Sequence, residues 1–301
     1  MDTKEMEYIL EVLKSGSISS AARKLYMSQP LLSQKIHAVE QELNVQIFNR
    51  YTSPISLTFA GETVVNSIKN MLQIQKNLLL EINDINDETR GRMKIAISPH
   101  RATVLLPKIL PVFLHAWPLV EVEVIDSEGK VSEAVINGRA DIGFVRKLNT
   151  SDKLEYIYLC KDHIVLFCGA DSHLVQKYLP GRVINLTEVR NEKFVSVYEG
   201  HGFRKIQNEL FKNYHVNPHI IIETRSTELA CRLALSCNFV ALYPCNLLAE
   251  ESIMKEHPCY YYIEDKFHQY DFYICYKKNA FLPKYIRNFI SITQEIYEKA
   301  K

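Results

Sequence analysis

Long apolar runs are missing from this sequence. No stretch of the 301 residues approaches the ~18 uninterrupted apolar positions that a membrane-spanning helix requires. The N-terminal Met-Asp-Thr-Lys-Glu-Met-Glu also lacks the basic segment and apolar core of a secretory leader. The chain is therefore expected to be soluble and cytoplasmic, with no membrane partner. An excess of either charge is missing too. Lys and Arg number 36 against 35 Asp and Glu, so any nucleic-acid surface must be local. The seven cysteines (160, 168, 231, 237, 245, 259 and 275) are odd in number and include no CxxC pair, so buried reduced thiols are expected rather than a disulfide framework or a metal cluster. GxSxG, HExxH, Walker and GxGxxG patterns are all absent. His215 and His219 stand four apart, but Pro218 between them breaks helical spacing. Ser98 and His100 are too close along one loop to converge as nucleophile and base. Neither an enzyme nor a cofactor or metal site is expected.

What is present is an ordinary globular balance, 47% apolar and 24% charged, at a length that fits about two domains. Three textures follow one another. Residues 1–58 are short helical patterns separated by turn signals. Residues 59–89 form one long apolar-periodic stretch. Residues 90–301 alternate strand-like and helix-like runs, with strands read at 92–98, 120–125, 141–145, 163–168, 193–198, 219–223, 239–243 and 270–276. Helices are read at 103–116, 131–137, 202–214, 227–237 and 281–299. This rhythm predicts an α/β fold with a mostly parallel sheet and covering helices. Because it occurs twice, two lobes with a cleft between them are expected, lobe I about 90–161 with 266–301 and lobe II about 162–265. Ligands in open α/β sheets sit beyond the carboxyl ends of the strands.

The strongest local signal lies in residues 16–50. Gly16-Ser17-Ile18 opens a helix with Ser17 as N-cap, and the small residues Ala21 and Ala22 follow. The pattern breaks at Tyr26-Met27. Ser28 then caps a second helix, with Pro30 in its first turn and Leu31, Leu32, Ile36, Val39, Glu40 and Leu43 at helical spacing. Two helices joined by a tight turn make a helix-turn-helix, whose second helix presents its first turns to base edges in the major groove. Gln29, Ser33 and Gln34 carry the donors and acceptors that read bases, while Lys35 and His37 suit phosphates. Between Ser20 and His37 there are three basic residues (Arg23, Lys24, Lys35) and no acid, although residues 1–60 as a whole hold six of each.

The run Ala21-Ala-Arg-Lys-Leu-Tyr-Met-Ser-Gln-Pro-Leu-Leu-Ser-Gln-Lys-Ile-His-Ala-Val-Glu-Gln-Glu-Leu43, with Ile47-Phe-Asn-Arg50 and Leu57-Thr-Phe-Ala-Gly61, resembles the winged helix-turn-helix of the LysR-type transcriptional regulators. The length and domain order match that family over the whole chain. The resemblance implies a sequence-specific DNA-binding regulator in which Ser28, Gln29, Pro30, Ser33 and Gln34 face a double-stranded operator. Ser17 belongs to the same DNA-facing set, and Arg50 is implied to contact a phosphate or brace the wing. Tyr51-Thr-Ser-Pro54 carries no basic residue where relatives often do, so a weak salt dependence of the wing's contribution is expected. The resemblance also implies a periplasmic-binding-protein-like effector domain, RNA polymerase as a partner if the protein activates, and a homodimer that assembles into a homotetramer.

Dimerisation has independent support in the sequence. Val64, Ile68, Met71, Gln75, Leu78, Ile82 and Ile85 alternate offsets of four and three, a heptad-like seam in which the polar Gln75 would fix register. The alternative is that this stretch packs on its own domain. A paired helix would set two recognition helices on a roughly palindromic operator.

In the α/β half, Ser98-Pro99-His100-Arg101 lies between a strand and a helix that takes in Thr103, a position that favours an anion. Tyr198-Glu199-Gly200-His201-Gly202 occupies the equivalent place in the second lobe. Thr227 opens a further helix, and Tyr243 supplies an aromatic wall. Ser236-Cys-Asn-Phe-Val-Ala241 stands where relatives commonly carry glycines. Glu199 would oppose a carboxylate ligand unless it pairs with Arg101 or Arg204, or recognises an amine. An amino acid and an aromatic or small dicarboxylic acid both remain open as effectors. A transporter's solute-binding protein and a ligand-free architectural DNA protein are the rival functions.

Overall fold

The structure is a computed structural model that describes residues 1–49, 52, 54–85, 89–127, 129–146, 151–246, 259–264 and 270–300. It divides into two compact units, Met1–Asn86 and Asp87–Lys301.

The first unit is helical with a small wing. Helix α1 (Thr3–Ser15) starts on a reciprocal cap. The Asp2 carboxylate accepts the Glu5 N–H, and the Glu5 carboxylate accepts the Asp2 N–H, both at 2.8 Å. It stops at Gly16, whose φ of +70° suits glycine. Helix α2 (Ile18–Lys24) and helix α3 (Gln29–Leu43) follow, each capped by the serine expected, Ser17 and Ser28. Strands β1 (Phe48–Asn49) and β2 (Ser56–Leu57) pair antiparallel as the wing. The wing is anchored at its base by the Ile55 N–H, which donates to the Gly16 carbonyl at 2.9 Å. Helix α4 runs from Phe59 to Ile85. Thr58 caps it by accepting the Gly61 N–H at 2.9 Å. Gly61 itself lies so close to β1 that a Cβ there would fall 2.0 Å from the Ile47 carbonyl oxygen.

One core serves this unit: Ile9, Val12, Ala21, Ala22, Leu32, Ile36, Val39, Ile47 and Phe48, closed by Val65 and Ile68 from α4. This corrects the reading of α4 as a uniform seam. Ile68 is wholly buried against its own module, and Val64 and Leu72 lean on the same cluster. The helix-turn-helix needs a lid over its apolar side, and the first turns of α4 provide it. Farther along, Met71, Ile74, Leu78, Leu79 and Ile82 are exposed.

The second unit is built on one mixed sheet of order β4-β3-β5-β12-β6-β10-β8-β9. The strands of the first half are β3 (Gly91–Ile97), β4 (Val120–Asp126), β5 (Ile142–Arg146) and the long β6 (Leu154–Cys168). Those that follow are β7 (Val183–Ile184), β8 (Lys193–Val197), β9 (His219–Thr224), β10 (Val240–Asn246), β11 (Tyr260–Ile263) and β12 (Tyr270–Lys277). Helices α5 (Pro99–Ala116), α6 (Val131–Ile136), α7 (His173–Lys177), α8 (Gly202–Asn213), α9 (Thr227–Ser236) and α10 (Lys284–Lys299) accompany it.

The sheet is less parallel than expected. β3, β4 and β5 pair in parallel, as do β8, β9 and β10, but β12 and β6 between these sets run antiparallel to their neighbours. β6 crosses from one lobe to the other. Leu154–Asp162 pairs with β12, and Asp162–Cys168 pairs with β10. A strand that enters one lobe and leaves through the other cannot keep the βαβ direction in both.

Each lobe has its own core. In lobe I, Leu105, Ile109, Phe113, Phe144, Phe272 and Phe289 pack between the sheet and helices α5 and α10, with Phe113 and Phe289 edge to face at 5.3 Å. In lobe II, Leu166, Leu174, Phe194, Leu210, Phe211 and Tyr261 do the same, with Phe194 and Phe211 at 5.2 Å. No helix among the described residues is long and apolar enough to cross a membrane, and none of their His, Cys, Asp or Glu side chains forms a group that could hold a metal.

Candidate nucleic-acid interface and effector cleft

Helix α3 divides sharply between its two faces. Leu32, Ile36 and Val39 are buried, whereas Ser28, Gln29, Pro30, Gln34, Lys35 and His37 are exposed and Ser33 is half-buried. The Ser28 hydroxyl accepts the Leu31 N–H at 3.4 Å, and the Ser17 hydroxyl accepts the Ser20 N–H at 3.2 Å. These two serines are thus first of all helix caps. Leu31 is 44% exposed and Tyr26, in the turn before α3, is 98% exposed. In the sequence Tyr26 marks only a break in pattern. Its φ of +53°, rare for a residue with a Cβ, is not announced by any local signal. Arg50 lies outside the described residues.

Glu40 is the buried charge of the module. Its Oε1 accepts the N–H groups of Ile47 (2.9 Å) and Phe48 (3.3 Å), fixing the start of β1 to the C-terminal part of α3. Position 40 was legible only as a point on the helical period. Its partners become visible once the wing folds back.

In the second unit the start of α8, which follows the loop after β8, reaches the other lobe. A Cβ at Gly202 would lie 3.3 Å from the Cα of Gly129, so the loop after β4 and the start of α8 touch across the lobes. His100, at the start of α5, stands edge to face with Tyr243 of β10, ring centroids 6.2 Å apart. Its Nε2 is covered and has no hydrogen-bond partner. Burial, with smaller effects from Arg101, Arg146 and His201, pushes the imidazole well below its ordinary value and keeps it neutral. The Thr227 hydroxyl is likewise buried without a partner. Thr103 is exposed and donates to the His100 carbonyl at 2.9 Å. Tyr198 and Gly200 are exposed, and Gly200 adopts φ +95°. Ser98 is half-buried, Pro99 is exposed, and Ser98 caps α5 without a side-chain hydrogen bond.

Arg101 is buried and already occupied. Its Nη1 donates to Asp162 Oδ1 at 3.2 Å, and its Nη2 donates to Oδ2. Arg146, from the end of β5, reaches the same Oδ2 through Nε at 3.0 Å. Phe272 and Tyr270 lie under the two guanidiniums, at 4.1 and 4.7 Å. Burial alone would raise the Asp162 carboxyl, but the two arginines overcome it and hold it below the usual range. Two guanidiniums share one carboxylate, so the trio keeps one net positive charge. Asp162 and Arg146 are not legible as partners in the sequence, because Asp162 stands 61 residues from Arg101 and 16 from Arg146.

Glu199 pairs with Arg204 at 3.1 Å, but Glu223 shares that guanidinium, so the three groups keep one net negative charge. Arg204 also donates to Glu223 at 2.7 Å and to the Val197 carbonyl at 2.5 Å, securing the β8–α8 loop. Asn238 takes the left-handed conformation (φ +54°), and its amide donates to Asp171 at 3.0 Å.

A winged helix-turn-helix followed by a two-lobed α/β unit defines a class of DNA-binding regulator. Residues 3–62 match the bacterial regulatory helix-turn-helix protein family of lysR type, and residues 86–297 match the LysR substrate binding domain. The chain belongs to the LysR family of transcriptional regulators, a family of regulators rather than enzymes. Among its relatives, the regulator ClcR of Pseudomonas putida is 26% identical over 248 residues, 81% of this chain and 83% of ClcR. The fold resembles that of full-length CbnR in complex with its target DNA (TM-score 0.60, 19% identity, 98% of this chain and 99% of CbnR). It also resembles a full-length OxyR variant of Pseudomonas aeruginosa (TM-score 0.68, 18% identity, 98% of each chain).

Proposed function

We propose that this regulator works as a homodimer, assembling further to a homotetramer, in which residues 1–58 read a two-fold operator, 59–89 pair the copies, and 90–301 bind a small effector. One observation carries the DNA-facing assignment. The first turns of α3 leave Gln29, Pro30, Gln34 and Lys35 in solvent while the opposite side of the same helix is buried. Base edges are then read by Gln29, Ser33 and Gln34, and phosphates are held by Lys35 and His37. The effector is a carboxylate or an amino acid, seated around the His100–Tyr243 pair near the net positive trio of Arg101, Arg146 and Asp162, with Ser98, Tyr198 and Thr227 as further contacts. Two unpartnered buried polar atoms, His100 Nε2 and Thr227 Oγ1, support a polar ligand there. Its binding favours one arrangement of the lobes and so shifts the population of the dimer, through RNA polymerase if the outcome is activation.

A mobility shift on the DNA immediately upstream of the chain's own coding sequence tests the interface. Gln29→Ala with Ser33→Ala is expected to lower operator affinity at least about tenfold, since each good base contact is worth about 1–3 kcal/mol. Unchanged binding by the folded double variant would remove α3 as the reading surface.

A further inference from the structure

We propose that Tyr26 is a DNA-backbone contact, its hydroxyl donating to a phosphate oxygen beside the groove that α3 enters; this rests on the DNA-facing reading of α3. At 98% exposure the Tyr26 ring takes no part in the core, so burial does not explain an aromatic residue there. Its backbone is nonetheless held firmly. The φ of +53° costs on the order of 1 kcal/mol for a residue with a Cβ. The Tyr26 N–H donates to the Arg23 carbonyl at 3.3 Å, and the Met27 N–H donates to the Ala22 carbonyl at 2.9 Å. A fixed turn therefore holds a stiff amphipathic side chain out in solvent, two residues before the Ser28 cap of α3.

The electrostatics fit an anionic partner. No acid lies between Ser20 and His37. Lys24, near the same turn, is paired with Glu11 at 3.2 Å. A neutral phenol beside it adds a donor without adding charge, and tyrosine is among the residues that contact phosphates through a hydroxyl. The ring's apolar face suits a deoxyribose. A contact of this kind has a signature. It releases no condensed counterion, so it strengthens binding by the same factor at every salt concentration.

The test compares the full-length wild type with Tyr26→Phe, Tyr26→Asn and Gln29→Ala with Ser33→Ala. Each is titrated against the upstream duplex and a random-sequence duplex of equal length at several salt concentrations. Tyr26→Phe is expected to weaken binding to both duplexes about tenfold or more, as loss of one hydrogen bond to a charged acceptor would. The log–log salt slope and the melting temperature should not move. Tyr26→Asn, which tolerates the left-handed backbone, should weaken binding at least as much. Loss on the upstream duplex alone would make Tyr26 a base reader and overturn the phosphate contact. Unchanged affinity for both Tyr26 variants, with the Gln29/Ser33 variant weakened, overturns the proposal and leaves the α3 interface standing. If the Gln29/Ser33 variant is also unchanged, the interface itself is wrong and the proposal goes with it.

Discussion

His100 shows how a single side chain ties local structure to solution behaviour. It starts α5, meets Tyr243 across the lobes and stays neutral because its covered ring nitrogen has no partner to stabilise a proton. The sign of the pH effect follows. Below its ordinary value the imidazole protonates in the unfolded chain but not in the folded one, so stability is present above about pH 6.5 and is lost as pH falls toward the folded value. Chemical denaturation of the full chain between pH 7.5 and 5.5 should show a decline of up to about 1.4 kcal/mol per pH unit from this group. His100→Gln should flatten that part of the profile. A variant profile parallel to the wild type would show that the imidazole titrates as it does in water. The sequence marked His100 through its place between a strand and a helix. Its neutrality depends first on burial, to which Tyr243 of β10 contributes, and then on Arg101 beside it and Arg146 from β5.

At the scale of the element, α4 carries two periodicities at once. Its first turns close the DNA-binding module through Val65 and Ile68, while Met71, Ile74, Leu78 and Ile82 emerge into solvent. The heptad-like spacing was legible, and so was the alternative that the helix packs on its own module. Spacing gives the direction in which a residue points. It does not say whether the surface met there belongs to the same chain or to a second copy. Gln75 lies beside the exposed stripe and is itself exposed. Leu78→Glu with Ile82→Glu should convert the dimer to a monomer in analytical ultracentrifugation, with little change in the melting of the module, because neither side chain is part of its core. A dimer that persists at micromolar concentration would move the pairing surface elsewhere. The recognition helix was the easier element to read. Its cap, its proline and its buried positions all lie within fifteen residues. The long β6 was the harder one. Only 163–168 was expected, because the Lys161-Asp162-His163 run interrupts the strand signal that continues from Leu154.

For the α/β unit as a whole, the point of greatest consequence is Asp162. It lies where β6 passes from β12 to β10, and it gathers Arg101 from α5 and Arg146 from β5. Removing that carboxylate leaves two guanidiniums buried together. Asp162→Asn should therefore cost about 3 kcal/mol or more of the stability of residues 90–301, read as a lowered denaturation midpoint of the full chain. The loss should persist at high salt, since buried pairs are screened little. A change below about 1 kcal/mol would mean that water reaches the trio and solvates it.

What is local follows from the order of residues. Caps at Ser17 and Ser28, the helical period of α3, the alternation of strand and helix after residue 90, and the family to which these belong could all be read within a few turns of chain. These signals act through backbone groups and neighbours three or four residues away. Which charged side chains are buried, and what they hold, emerges only when the chain packs. Glu40 fastens the wing, Arg101 turns from solvent to Asp162, and Ile68 covers its own module. Those outcomes depend on surfaces brought together from distant parts of the chain, where desolvation and pairing replace propensity as the governing terms.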